Sequence, residues 1–151
     1  KGVSVNVKAA PDKKITLSLE KTSWMKNYVV KVNGKSVKYD DADGLAKVAR
    51  RFKAGDKLTV SFEMAPRYEG MVNSENSNPG DFRVMYGPLV LACGVGDDTN
   101  VAYGEEFGGS VRESFKGNKS GVVLSPLYHL MSPKVNMAAQ PPFSRRIVFT
   151  K

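Results

Sequence analysis

The sequence predicts an all-β fold, an antiparallel β-sandwich of jelly-roll-like form, with residues 1–151 as a single domain cut from a larger protein. Two observations carry that prediction. Apolar residues recur at every second position through much of the chain, and clusters of Gly, Pro, Asn, Asp and Ser punctuate the runs. Neither a fixed-period repeat nor a heptad run is present. A sandwich or jelly roll suits roughly eight to ten short strands separated by turn signals, and a closed barrel shares the same periodicity.

Val3, Val5 and Val7 alternate with Ser4 and Asn6, as a half-buried strand requires. The turn signal AAPDKK follows, and Ile15, Leu17 and Leu19 then alternate with Thr16, Ser18 and Glu20, so the two runs are expected to form a hairpin. The β-branched segment NYVVKV ends at Asn33-Gly34, a strong hairpin signal because both residues tolerate positive φ, and Ser36 to Tyr39 is the expected return strand. Asp40, Asp41, Asp43 and Gly44 mark a loop, and LAKVARRF reads as a strand closed by the Ala54-Gly55-Asp56 turn. Leu58, Val60, Phe62 and Met64 then point inward against Thr59, Ser61 and Glu63. Residues 65–81 read as a long polar loop of the kind that often carries function. FRVMY resumes strand character, and PLVLAC is apolar on both faces, as a covered central strand would be. Residues 104–121 are loop-like. VVLSPLYHLM, a Pro/Asn/Gln-containing segment at 133–142 and a last strand RRIVFTK complete the chain.

With 41% hydrophobic and 25% charged residues the composition is that of a globular domain with a real core. No apolar run has the length of a transmembrane helix, and the charged first residues do not resemble a signal peptide. The net charge of +8 is concentrated early: residues 1–70 hold 15 Lys/Arg against 8 Asp/Glu, residues 71–151 hold 8 against 7. The lysines are dispersed among strand positions rather than clustered, so a solvated face is expected and neither nucleic acid nor membrane is an expected partner.

Catalytic chemistry finds little purchase. Cys93 is the one cysteine, lies in an apolar run and is expected to be a buried, inert thiol. His129 is the one histidine, and the PLYHLM context suggests an edge or core position rather than a ligand. The Asp40/Asp41/Asp43 cluster lacks the length and distal Glu of a calcium loop. No nucleophile elbow and no phosphate-binding glycine loop occurs. No catalytic residue, metal or cofactor is therefore expected. Surface aromatics remain: Trp24, and Tyr68 beside Arg67, are candidates for contact with carbohydrate or with a neighbouring domain. Trp24 has the alternative of capping the core.

The ordered motifs SLEKTSWMKNYVVKVNGK, VARRFKAGD, LTVSFEM, FRVMYGPLVLAC and VVLSPLYHL resemble the region that follows the catalytic domain in glycoside hydrolases of the β-L-arabinofuranosidase type, family 127. The general pattern there is Pro-x-Trp, a VNG hairpin, R-x-W-x-x-GD, and YGP followed by an apolar VLA strand. Here Thr22 stands at the proline place and Phe52 at the R-x-W aromatic, so the chain is a divergent version. The resemblance implies a bacterial, periplasmic or extracellular parent enzyme acting on plant-type polysaccharide. In that family catalysis belongs to an (α/α)-barrel that uses a cysteine nucleophile with zinc and carboxylates. Cys93 lies outside any such motif. The resemblance therefore implies a non-catalytic accessory sandwich whose partner is the barrel of its own parent protein, with an autonomous carbohydrate-binding module as the alternative.

Overall fold

Asn33 and Gly34 adopt φ of 51° and 79°, the left-handed geometry a two-residue hairpin turn demands. They join strand β3 (Lys26–Val32) to β4 (Lys35–Ser36), as the sequence predicts, although the return strand is shorter than Ser36–Tyr39. The structure is a computed structural model that describes residues 1–71, 78–94, 100–130 and 145–150. Its internal packing divides the chain into two compact units, Lys1–Met64 and Ala65–Lys151.

The first unit is a two-sheet antiparallel sandwich. One sheet has the order β1-β7-β3-β4, with β1 at Gly2–Asn6 and β7 at Lys57–Glu63. The other has the order β2-β6-β5, from Ile15–Glu20, Leu45–Arg50 and Asp40–Ala42. Alternation sorts the side chains: Val30, Val32, Leu58 and Val60 from the first sheet meet Val48, Ile15, Leu17 and Leu19 from the second in one apolar cluster. Phe52 joins that cluster, and the Arg50 guanidinium lies 5.5 Å from its ring centroid. Asn27, at φ 50°, sits where the β3–β7 register shifts.

Two expectations for this unit are corrected. Val3–Val7 and Ile15–Leu19 do not form a hairpin: β1 pairs with β7 and β2 with β6, in different sheets. A sandwich allows the AAPDKK connection to cross between layers, which alternation alone cannot reveal. The acidic cluster is not a plain loop either. Asp40–Ala42 is strand β5, and Asp43 (φ 58°) with Gly44 (φ 72°) makes the tight turn into β6.

The second unit is built on one antiparallel sheet of order β11-β12-β13-β10-β9-β8, with β14 pairing the far end of β10. The strands are β8 (Pro66–Gly70), β9 (Phe82–Tyr86), β10 (Leu89–Gly94), β11 (Phe107–Gly109), β12 (Phe115–Gly117), β13 (Val123–Pro126) and β14 (Arg145–Arg146). PLVLAC is the covered central strand, as predicted, between β9 and β13. Gly87, at φ 58°, and Pro88 form the two-residue turn from β9 to β10. Phe82 and Phe149 exchange backbone hydrogen bonds of 2.8 Å and bring the end of the chain to β9.

Expectations for this unit are corrected as well. Pro66–Gly70, expected as loop, is edge strand β8; its proline occupies the first position, where no ladder donor is lost. Residues 104–121 contain the short strands β11 and β12, whose glycines hide the alternation. VVLSPLYHLM is not continuous strand: β13 stops at Pro126 and a single helical turn, α1 (Leu127–Leu130), follows. RRIVFTK contributes the two-residue β14 and the Phe149 bridge. The stretch 72–77 and the segment 133–142 lie outside the described residues. Among the described residues no helix is long and apolar enough to cross a membrane.

Phe52→Ala should destabilise the first unit by about 3–4 kcal/mol, because the ring is buried in a cluster to which both sheets contribute. Urea unfolding followed by Trp24 fluorescence measures it; a loss below ~1 kcal/mol would mean that this cluster does not hold the sheets together.

Candidate functional site

Trp24 sits half-buried in the turn before β3, with its ring edge-on to Phe62 at 6.3 Å and 69°. Phe62 stacks on Tyr28 at 6.2 Å and 12°, and Tyr28 meets Tyr39 edge-on at 5.7 Å. Phe62, Tyr28 and Tyr39 pack against the buried cluster, so this row extends the core toward solvent. The Lys21 ammonium lies 6.0 and 5.9 Å from the Tyr28 and Tyr39 ring centroids and is ion-paired with Asp41. The hydrogen bond to Asp41 raises the Lys21 pKa, so the group beside these rings stays cationic. Burial, followed by the neighbouring Tyr39, pushes the Tyr28 phenol upward too. Its hydroxyl donates to the Glu20 carbonyl at 3.1 Å.

Arg67 and Tyr68 belong to the second unit and, as neighbours on β8, project to opposite faces. Arg67 donates from Nη1 to the Gly87 carbonyl, bracing the β9–β10 turn, and lies 4.0 Å from the Glu69 carboxylate. Tyr68 is committed to the interior. Its ring packs with Tyr103 at 5.0 Å, Phe82 at 5.4 Å and Phe107 at 6.3 Å. Its hydroxyl donates to the carbonyls of Glu105 (2.7 Å) and Ala102 (3.3 Å). Burial, reinforced by the Glu105 charge, pushes the phenol up to about 12. The three sequence candidates are thus split, Trp24 in one unit and Arg67 with Tyr68 in the other.

The sequence reading missed Glu105. It is 3% exposed, yet both carboxylate oxygens are fully engaged. Oε1 accepts from the Ala102 amide (2.9 Å) and the Ser120 hydroxyl (2.6 Å); Oε2 accepts from the amides of Lys119 (2.9 Å) and Ser120 (3.0 Å). Burial works to raise its pKa, and the hydrogen bonds from Ser120, Lys119 and Ala102 outweigh it and hold the group below its ordinary value. Gly117 makes room: a Cβ there would collide with the carboxylate and with Ser120 Oγ. The signal available was weak, a Glu inside a glycine-rich stretch with strand-like phenylalanines on either side.

The remaining candidates have structural partners. Asp41 pairs with Lys21, and Asp43 lies 3.5 Å from Lys47, so the acidic turn is neutralised by lysines. Cys93 is buried in β10 with its thiol 3.9 Å from the Arg146 carbonyl. His129, expected at an edge or core position, is exposed on α1 and edge-on to Tyr128 at 4.2 Å. Among the described residues no three His, Cys, Asp or Glu side chains are grouped to hold a metal.

Among the described residues the carboxylates Asp56 and Glu105, the Arg67 guanidinium and the Tyr68 hydroxyl are bonded to turns and strand ends of a β-rich chain. Residues 1–64 match the family model described as β-L-arabinofuranosidase, GH127 middle domain. The motifs KVNG, RRFKAGD and LTVSFEM all fall in that stretch, so the resemblance read from the sequence is borne out. Three solved structures share the fold. BT3674, a GH127 β-arabinofuranosidase, is 19% identical with a TM-score of 0.67, over 99% of this chain and 29% of that one. A GH127 β-L-arabinofuranosidase from Geobacillus stearothermophilus T6 is 18% identical with a TM-score of 0.57, over 98% and 25%. A protein described as a glycoside hydrolase is 19% identical with a TM-score of 0.56, over 77% and 21%. The chain thus spans less than a third of the length of these proteins, and no curated protein matches it. Residues 1–64 are thus similar to the domain described as the middle one of that enzyme family.

Two titrations follow. The folded pKa of Glu105 lies below its unfolded value, so its contribution is complete above about pH 4.5 and is lost as pH falls through the folded pKa. Glu105→Gln should cost about 2 kcal/mol at pH 7, since an amide cannot accept all four bonds, and the gap to the native chain should close on acidification. Melting curves of both proteins from pH 3 to 7 measure this. Tyr68 is shifted the other way. Its contribution is complete below pH 10 and lost as pH rises toward about 12, and Tyr68→Phe should remove the latest phenolate step in an ultraviolet titration.

Proposed function

We propose that the chain is an accessory region of a secreted, periplasmic or extracellular glycoside hydrolase acting on plant-type polysaccharide, and that it packs against and supports an (α/α)-barrel catalytic domain of the same protein. The single observation that carries this reading is the match of residues 1–64 to a domain described as the middle one of a β-L-arabinofuranosidase. The near-complete coverage of this chain by much longer GH127 arabinofuranosidase chains supports it. So does the chemistry of the described side chains: Asp56, Glu105, Arg67 and Tyr68 brace turns rather than converge on a cleft. The carbohydrate-binding alternative loses one of its anchors, because the Tyr68 hydroxyl and ring are both engaged within the fold.

The chain alone should release no arabinose from β-arabinofuranosides, while the full protein should. Deleting these residues from the full protein should lower its melting temperature and its turnover together. Turnover by the isolated chain, or full activity and stability after deletion, would overturn the proposal.

A further inference from the structure

Strand β1 is an edge left open on two sides. Among the described residues it pairs only with β7, in the register Val3↔Val60 and Val5↔Leu58. The Phe62 amide donates to the Lys1 carbonyl at 2.9 Å, and the Val7 amide to the Asp56 carbonyl at 2.8 Å. In an antiparallel ladder the residues that exchange bonds alternate with residues that do not, so Gly2, Ser4 and Asn6 turn their amides and carbonyls away from β7. All five residues of β1 are exposed.

Side chains give the second side. Directly opposite residues share a face, so Val3 and Val5 point the same way as Val60 and Leu58. Leu58 is 0% and Val60 6% exposed, whereas Val5 is 38% and Val3 57% exposed. Val7 packs against the core, so the cover gives out along β1 toward Lys1. Edge strands are ordinarily protected by charge, proline or a bulge, and Gly2–Asn6 has no charged residue, no proline and an unbroken register.

We propose that β1 receives an added strand: an extended segment from an adjoining part of the full protein, apolar at alternate positions and flanked by carboxylates, pairs with Gly2, Ser4 and Asn6 and covers Val3 and Val5. This rests on the reading of the chain as one region of a longer enzyme. Charge selects the occupant. Residues 1–64 hold 14 Lys/Arg against 7 Asp/Glu, a net +7, and Lys1 and Lys8 flank the strand. A second copy would set like charge against like, and an acidic-flanked strand would not. In the solved GH127 enzymes most of the chain lies outside the part matched here, which leaves ample length to supply one.

Amide hydrogen exchange on the isolated chain and on the full protein tests it. In the isolated chain Val3 and Val5 should exchange slowly, and Gly2, Ser4 and Asn6 fast. In the full protein Ser4 and Asn6 should slow by about 100-fold or more. Val5→Lys, an inward-pointing charge, should restore fast exchange at Ser4 and Asn6 there while Val30 and Val32 stay slow. Equal exchange at Ser4 and Asn6 in both proteins overturns the proposal. So does protection in the isolated chain that grows with its concentration, which would assign the edge to a second copy. Protection gained elsewhere on the chain with β1 still open removes this inference and leaves the accessory role standing; no gain anywhere removes both.

Discussion

The two-sided hydrogen bonding of β7 is the constraint on which the first unit depends. The strand pairs with β1 on one side and β3 on the other, and its pleat sends Leu58 and Val60 into the core while Thr59 and Ser61 face out. A slip of one residue in either ladder would exchange those faces and bury Ser61 in place of Val60. The register is held at its end by polar groups. Asn33 Oδ1 accepts from the Lys57 amide at 2.8 Å, its backbone amide donates to the Lys57 carbonyl at 2.8 Å, and its Nδ2 donates to Asp56 at 2.8 Å. Asp56 in turn accepts from the Lys53 amide at 2.9 Å. The tip of the β3–β4 hairpin and the turn into β7 are one hydrogen-bonded assembly, and the core residues Val32 and Leu58 directly adjoin it.

That assembly explains why the motifs read as they do. In RRFKAGD the aromatic fills the core, Gly55 adopts φ 89°, and Asp56 closes its own turn and the neighbouring hairpin. The backbone bond to Lys53 and the side-chain bond from Asn33 hold the Asp56 carboxyl below its usual range, so it stays an acceptor through the neutral region. The YGP motif works similarly: Gly87 supplies positive φ, and its carbonyl receives the Arg67 guanidinium. Glu105 does for the loops around β12 what Asp56 does for β7, with a buried carboxylate and four donors. Short strands leave many backbone donors outside any ladder, and a carboxylate satisfies several at once.

The fold class and most first-unit strands were legible because alternation and turn chemistry act over a few residues. Leu58 to Phe62, Asn33-Gly34 and the central PLVLAC strand carried their own local signals. Partner choice was not legible. Val3–Val7 and Ile15–Leu19 look like a hairpin in sequence, and only the packing of two sheets sends them to different layers. Strands of three residues such as Phe107–Gly109 and Phe115–Gly117 are too short to show a period. Among the candidate residues, aromatic character at Tyr68 was visible, but its commitment to the carbonyls of Ala102 and Glu105 was not, since those partners lie 34 and 37 residues away. Glu105 itself has no local mark; its role exists only once Ala102, Lys119 and Ser120 converge on it.

A polar group can serve chemistry or architecture according to whether its partners are already in place. Glu105 has four donors and a depressed pKa, so it has neither a vacant lone pair to offer a substrate nor a proton to give near neutrality. Tyr68, held protonated up to about 12, spends its one proton on backbone carbonyls. Lys21 is matched by Asp41. These commitments make the turns rigid and remove the reactive poise that a catalytic site needs. The first unit also leaves an apolar and backbone surface open: the free side of β1 and the two valines above it. Such a surface suits holding another piece of polypeptide, because an added strand satisfies open backbone groups and covers apolar side chains at once.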